Sequence, residues 1–204
     1  GRVNDVGYLR EAVRTARAIG ATLVSDECYA ELGWGETAVP SLLDSAVTDG
    51  DRTGLLSLYS LSKQSNLAGY RAALVAGDEK LIQDILLARK HLGLIVPAPI
   101  QAAMTAVLGD DAHVALQKER YRTRRDLLME AFVGAGFQID HSEAGLYLWA
   151  TKHEDAWETI AWLAERGILV APGSFYGPSG SHHVRVAFTA SDDRMAGVPA
   201  RLSA

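Results

Sequence analysis

The chain has 204 residues, 48% of them hydrophobic and 22% charged, a balance ordinary for a globular protein. Its net charge of −5 and isoelectric point near 5.7 exclude the broad basic face that a nucleic-acid binder needs. No run approaches the roughly 18 apolar residues of a membrane span and no signal-peptide pattern is visible. The single cysteine, Cys28, excludes an internal disulfide framework and fits a reducing, cytoplasmic setting.

The first half alternates helix and strand patterns. Asp5 caps a helix that carries Leu9, Val13 and Ala16 and stops at Gly20. Residues 21–27, ATLVSDE, form a near-continuous apolar run ending in acids, which predicts a strand buried on both faces, as in a parallel sheet. Residues 30–52 are loop-rich, with a weak helix near 40–46. GLLSLYS (54–60) predicts a second buried strand and RAALVAGD (71–78) a third. DEKLIQDILLARKHLG (78–93) has helical spacing, with Leu81, Ile82, Ile85 and Leu86 on one side, and Pro97 and Pro99 then break the chain.

The second half opens with helical patterns at about 99–108 and 111–134, the latter ended by Gly134 and Gly136. The basic run 118–125 shares that pattern with Leu116, Leu127 and Leu128, which predicts a solvated helix face. Strands FQID and GLYLWAT (145–151) follow, then a helix EDAWETIAWLAERG (154–167) with Trp157, Ile160, Ala161 and Ala164 inward. ILVAPG (168–173) and HVRVAFT (183–189) predict further strands, His182 and His183 read as loop residues, and Ser191 caps a short final helix. The order predicts an α/β fold: the end of a sheet domain over residues 1–115, then a small α+β domain over 116–204, with the break inside the long helix.

In open parallel sheets, ligands sit beyond the carboxyl ends of the strands. There the first strand delivers Asp26 and, three residues on, Tyr29, while the second delivers Ser60, Ser62 and Lys63. Singly, each has a plain structural use, the aspartate as a turn residue and the lysine as a solvated cation. Together they are more specific. A lysine against an apolar wall can lose its proton and act as an amine nucleophile. A carboxylate beside a pyridine nitrogen keeps that nitrogen protonated, and hydroxyls with an arginine hold a phosphate. These are the parts needed for pyridoxal 5′-phosphate, whose protonated ring is an electron sink. Lys63, Asp26, Tyr29, Ser60, Ser62 and Arg71 supply them.

SDECY, followed 37 residues after its Asp by the lysine of SLSKQSNLAGYR, resembles the fold-type I pyridoxal-phosphate aminotransferases of the aspartate-aminotransferase superfamily. That family's pattern is an Asp, a Tyr three residues on, then S-x-S-K and an arginine eight residues past the lysine, and each offset is met. The resemblance implies that Lys63 attaches to the cofactor and later shuttles a proton. It implies that Asp26 pairs with the pyridine nitrogen, Tyr29 with the 3-oxygen, and Ser60, Ser62 and Arg71 with the phosphate. It implies that Arg185, in the strand HVRVAFT, clamps the substrate carboxylate, since an arginine inside an apolar strand wants an anion. Tyr147, Phe175 and Tyr176 are weaker candidates to approach the substrate. No metal ligands are expected.

The resemblance covers essentially the whole chain but only the second half of the family's chain. The family's first half carries a phosphate-binding turn, an aromatic residue that stacks on the ring and the motif Asn-Pro-Thr-Gly. None of these is in this sequence, and Gly1-Arg2-Val3 looks like the tail of that last motif. The resemblance therefore implies a C-terminal piece, inactive alone, of a homodimeric enzyme acting on small amino and keto acids. SDECYAELGW, RKHLGLIVPAPIQAAM, HSEAGLYLWAT and GILVAPGSFYGPSG look most like actinobacterial N-succinyldiaminopimelate aminotransferases of lysine biosynthesis. These exchange an amino group between glutamate and N-succinyl-2-amino-6-oxopimelate. Lys90 and His91 are then candidates to reach the partner subunit's site, although a helix C-terminus favours cations in any case. A carbon–sulfur lyase of the same fold, the sensing domain of a transcription regulator and a degenerate assembly domain are the competing readings.

Overall fold

The structure, a computed structural model, describes residues 1–36 and 38–203. It divides into two compact units, Val3–Leu116 and Gln117–Ala204 with Gly1–Arg2.

In the first unit, α1 (Val6–Ala18) begins where the Asp5 carboxylate accepts from the Tyr8 amide at 2.7 Å, satisfying one of the free N–H groups of a helix start. Its apolar stripe packs Val13 against Leu42, Val47 and Leu55. β1 (Leu23–Asp26) follows, then a loop-rich stretch holding the short α2 (Ser45–Thr48), and then β2 (Leu55–Tyr59). A single turn, α3 (Leu61–Gln64), separates β2 from β3 (Leu74–Gly77). The sheet runs β1-β2-β3, with β1 and β2 parallel and β3 antiparallel to β2. Gly77 ends β3 at φ +142°, where any β-carbon would collide with the Leu55 carbonyl oxygen. α4 (Glu79–His91), capped by the Asp78 carboxylate, and α5 (Ala98–Leu108) complete this part, and α6 (Asp111–Gly134) continues into the second unit.

β1 departs from its expected burial. Leu23 and Ser25 are half-buried, but Asp26 is exposed and Val24 is 48% exposed. β1 is an edge of the described sheet, so one side of the strand meets no neighbour. The same holds for α4: Leu81, Ile82 and Ile85 are half-buried, while Leu86 is 65% exposed.

In the second unit, β4 (Gln138–Ile139), β5 (Tyr147–Thr151), β6 (Ala171–Pro172) and β7 (His183–Ala187) form an antiparallel sheet of order β4-β5-β7-β6. Side chains alternate across a strand, so one face carries Leu148, Ala150, Val184 and Val186 into the core with Leu128 and Phe132 of α6. α7 (Ala156–Glu165) adds Leu163 to that core. Its inward face is Ala156, Thr159 and Leu163, not the expected Trp157, Ile160, Ala161 and Ala164, and Trp157 is exposed. Thr159 tolerates the inward position because its hydroxyl donates to the Glu154 carboxylate at 2.7 Å. α8 (Asp192–Ala196) and α9 (Val198–Leu202) follow, and the Ser191 side chain makes no capping bond to α8.

The basic run on α6 also departs from expectation, in part. Arg124 and Arg125 are only 12% and 15% exposed in their side chains. Arg124 Nε donates to Asp192 at 2.6 Å, and Arg125 donates to the Ser142 hydroxyl and carbonyl at 2.9 and 2.8 Å. A planar guanidinium can satisfy several acceptors at once, so these two arginines tie α6 to its unit instead of facing water.

Candidate functional site

The parallel pairing of β1 and β2 sets the site. Their register places Asp26 opposite Leu58, and the Glu27 amide donates to the Leu58 carbonyl at 2.8 Å, so both strands end at one edge. Beyond that edge β1 delivers Cys28 and Tyr29, and β2 delivers Ser60 and α3. The antiparallel return of β3, with Leu74 opposite Tyr59, keeps the whole connection 60–73 at the same end.

Ser60 caps α3: its hydroxyl accepts from the Ser62 amide at 3.2 Å and donates to the Ser62 hydroxyl at 2.9 Å. Lys63 is half-buried, with Nζ 6.0 Å from the centre of the Tyr29 ring. Among the described residues it has no ion-pair partner. The Asp26 carboxylate accepts from the Cys28 amide at 3.1 Å and is otherwise exposed. Arg71 is exposed and sits in the left-handed region at φ 53°, with its guanidinium donating to the Ala68 carbonyl at 3.0 Å.

The Cys28 thiol reports on this group. Burial first, then the hydrogen bond and charge of Asp26, push its pKa up to about 11, against an opposing pull from Lys63. Asp26 and Lys63 therefore both lie within electrostatic reach of one sulfur. Beneath them the Tyr59 phenol is pushed up to about 12 by burial and by Glu31.

Tyr147 and Arg185 meet in the second unit, on the sheet face opposite the core. Arg185 on β7 stands across from Trp149 on β5 and Ala171 on β6. Its guanidinium carbon lies 4.1 Å from the centre of the Tyr147 ring and 4.9 Å from that of Tyr176. Among the described residues, Arg185 Nε is buried with no hydrogen-bond partner. Aromatic faces stabilise a cation but offer its N–H groups no acceptor, so the arrangement leaves an anion's place open.

Residues 1–200 match the family model described as aminotransferase class I and II. The chain belongs to that family. It is 56% identical over 203 residues to aminotransferase Rv1178 of Mycobacterium tuberculosis, covering 100% of this chain and 48% of that protein. It is 57% identical over 203 residues to 4-dedimethylamino-4-oxo-anhydrotetracycline transaminase OxyQ of Streptomyces rimosus, covering 100% of this chain and 56% of that protein. The structure of N-succinyldiaminopimelate aminotransferase from Mycobacterium tuberculosis superposes with a TM-score of 0.85 at 26% identity, over 98% of this chain and 53% of that one. The chain thus spans about half the length of the curated relatives it matches.

Class I and II aminotransferases depend on pyridoxal 5′-phosphate. The donor set at the edge of the first unit fits such a group: a half-buried amine, a carboxylate, a phenol, two linked hydroxyls and an arginine. Lys90 and His91, by contrast, occupy the exposed last turn of α4. His183 is a strand residue, not a loop residue: it opens β7, pairs with Asp140 at 2.9 Å and stacks on Trp149. His182, just before β7, faces the Glu154 carbonyl at 3.1 Å. Phe175 and Tyr176 are both exposed, and Tyr176 packs edge-on against Trp149.

Sequence reasoning passed over Cys28, Gln64, His113 and Trp149. Trp149 was within reach, since two residues from Tyr147 on a strand means the same face. His113 carried no sequence signal, because its partner Ser65 is 48 residues away.

Proposed function

We propose that the complete polypeptide is a pyridoxal-phosphate-dependent aminotransferase that moves an amino group from glutamate to N-succinyl-2-amino-6-oxopimelate. The reading is carried by Lys63: a half-buried amine beside Tyr29, acting with Asp26 on the one Cys28 thiol, at the carboxyl edge of the sheet. Pyridoxal 5′-phosphate supplies an aldehyde that takes up amino groups and a ring that accepts electron density from the neighbouring carbon.

Lys63 would hold the cofactor through its amine at the aldehyde end and would carry the proton that moves during transfer. Asp26 would keep the ring nitrogen protonated, and Tyr29 would donate to the 3-oxygen. The Ser60 and Ser62 hydroxyls and the Arg71 guanidinium would hold the phosphate. Arg185 would receive the substrate carboxylate, with the Tyr147 and Tyr176 rings beside its guanidinium. A homodimer is part of this reading, supported by exposed Leu86, Leu87, Leu92, Leu94 and Ile95 around the end of α4.

A second reading keeps the transamination and changes the acceptor to a polycyclic ketone. It is favoured by the 57% identity to OxyQ and by the aromatic side chains Tyr147, Trp149 and Tyr176 around Arg185. Assaying the complete polypeptide for 2-oxoglutarate release from glutamate, with each acceptor in turn, separates the two. Turnover with neither, or pyruvate release from cystathionine instead, overturns the proposal. Lys63→Ala abolishes turnover with either acceptor, whereas Arg185→Leu raises KM for glutamate and for the carboxylated acceptor but not for the polycyclic ketone.

A further inference from the structure

The turn that carries Lys63 is too short to hold itself. α3 has four residues, and a single helical turn fixes several backbone torsions for very few hydrogen bonds. Its own closure is the Ser65 amide to the Leu61 carbonyl at 3.1 Å and the Leu67 amide to the same oxygen at 3.3 Å. Asn66 then turns left-handed at φ 53°. A lysine has four rotatable bonds of its own, so its amine stays at one place only if the backbone beneath it is fixed.

Two side-chain relays do this, and they grip the two residues that follow Lys63. Gln64 is buried, and its side-chain amide meets the Tyr59 phenol, which also reaches Glu31 at 3.3 Å. Ser65 meets His113 of α6: its hydroxyl is 2.9 Å from Nε2, and His113 Nδ1 is 3.1 Å from the Asp110 carboxylate. An ionised carboxylate only accepts, so Nδ1 carries the proton toward Asp110. In the neutral ring Nε2 is then the acceptor, and the Ser65 hydroxyl donates to it. Asp110 is fixed in turn, because its other oxygen accepts from the Ala112 amide at 2.9 Å at the start of α6.

We propose that His113, braced by Asp110, is a positioning residue that holds the Lys63 turn through Ser65. The inference rests on the assignment of Lys63 as the cofactor-binding amine. The same three residue types act as nucleophile, base and orienting group in hydrolases. Here the serine is half-buried at the end of the lysine's own turn, and its proton is committed to fixing that turn.

The test is reductive trapping on the complete polypeptide. The protein is incubated with pyridoxal 5′-phosphate and borohydride and then digested, and the Lys63 adduct is measured by mass spectrometry against the adduct on Lys80. Lys80 lies on α4, exposed and paired with Asp84, and serves as an internal standard that global unfolding would also move. The Lys63-to-Lys80 ratio falls about fivefold in His113→Leu, the population change expected from one lost hydrogen bond. Ser65→Ala gives the same fall and the double variant no more, because one interaction is removed twice. His113→Gln, whose amide can still reach Ser65, restores most of the ratio.

An unchanged ratio in His113→Leu overturns the inference, as does an additive loss in the double variant or a His113→Gln protein no better than His113→Leu. Labelling of Ser65 by a fluorophosphonate overturns it in favour of a nucleophilic serine. If Lys63 is trapped no better than Lys80 in the unsubstituted complete polypeptide, the assignment of Lys63 falls and takes this inference with it. A trapped Lys63 that ignores His113 removes the inference alone.

Discussion

Replacing Asp26 by asparagine removes the charge beside the Cys28 thiol while keeping its volume. In the native chain, burial and then Asp26 outweigh the pull of Lys63 and hold the thiol at about 11 instead of the usual 9.0. At pH 8 that leaves roughly a hundredth of the thiolate an ordinary cysteine carries. A more basic thiolate is also the better nucleophile, with a slope of about 0.45, so alkylation slows by roughly tenfold, not a hundredfold. Asp26→Asn leaves burial in place but frees the Lys63 ammonium from its opponent. The thiol pKa therefore falls and the rate at pH 8 rises. Lys63→Met moves both the other way. Cys28 is the only cysteine, so iodoacetamide alkylation followed by mass spectrometry from pH 6 to 11 reads this one site directly. A midpoint that stays or rises in Asp26→Asn, or stays in Lys63→Met, refutes the juxtaposition of Asp26 and Lys63 across Cys28. The proposed cofactor site rests on that juxtaposition.

The Tyr59 phenol, pushed up to about 12 by burial and by Glu31, gives a second pH signature. Its folded pKa lies above the unfolded value of about 10. Its stabilising contribution is therefore complete below pH 10 and is lost as pH rises from 10 through 12. Urea unfolding at pH 9 and pH 11.5 should show the native chain losing stability relative to Tyr59→Phe between the two, and equal losses would refute the assignment. In the second unit, Phe132 is 0% exposed and lies edge-on to Phe137 at 4.9 Å between ring centres. Phe132→Ala costs about 3–5 kcal/mol by cavity formation, measured by urea unfolding with tryptophan fluorescence. A loss below about 1 kcal/mol would mean that this core does not hold the unit together.

Local signals were legible without any structure. Asp5 accepts from the Tyr8 amide in the first turn of the helix it precedes, because capping needs only residues three positions apart. The order Asp26, Tyr29, Ser60, Lys63, Arg71 was legible for a similar reason. These residues hang from the ends of adjacent strands, where short offsets along the chain fix short distances in space. Arg185 stood out as a cation inside an apolar strand. Burial was not legible in the same way. β1 is apolar enough for two covered faces, yet Val24 is open because burial is supplied by neighbours, not by the strand. α7 turned a threonine inward because Glu154 could satisfy its hydroxyl. Arg124 and Arg125 lie inward because Asp192 and Ser142, distant in sequence, arrive beside them. The grip of His113 on the Lys63 turn belongs to the same class. Sequence determined which groups this chain carries at the ends of β1 and β2. Tertiary structure alone decided which of them are held still, since a hydrogen bond across 48 residues exists only after the chain has closed that loop.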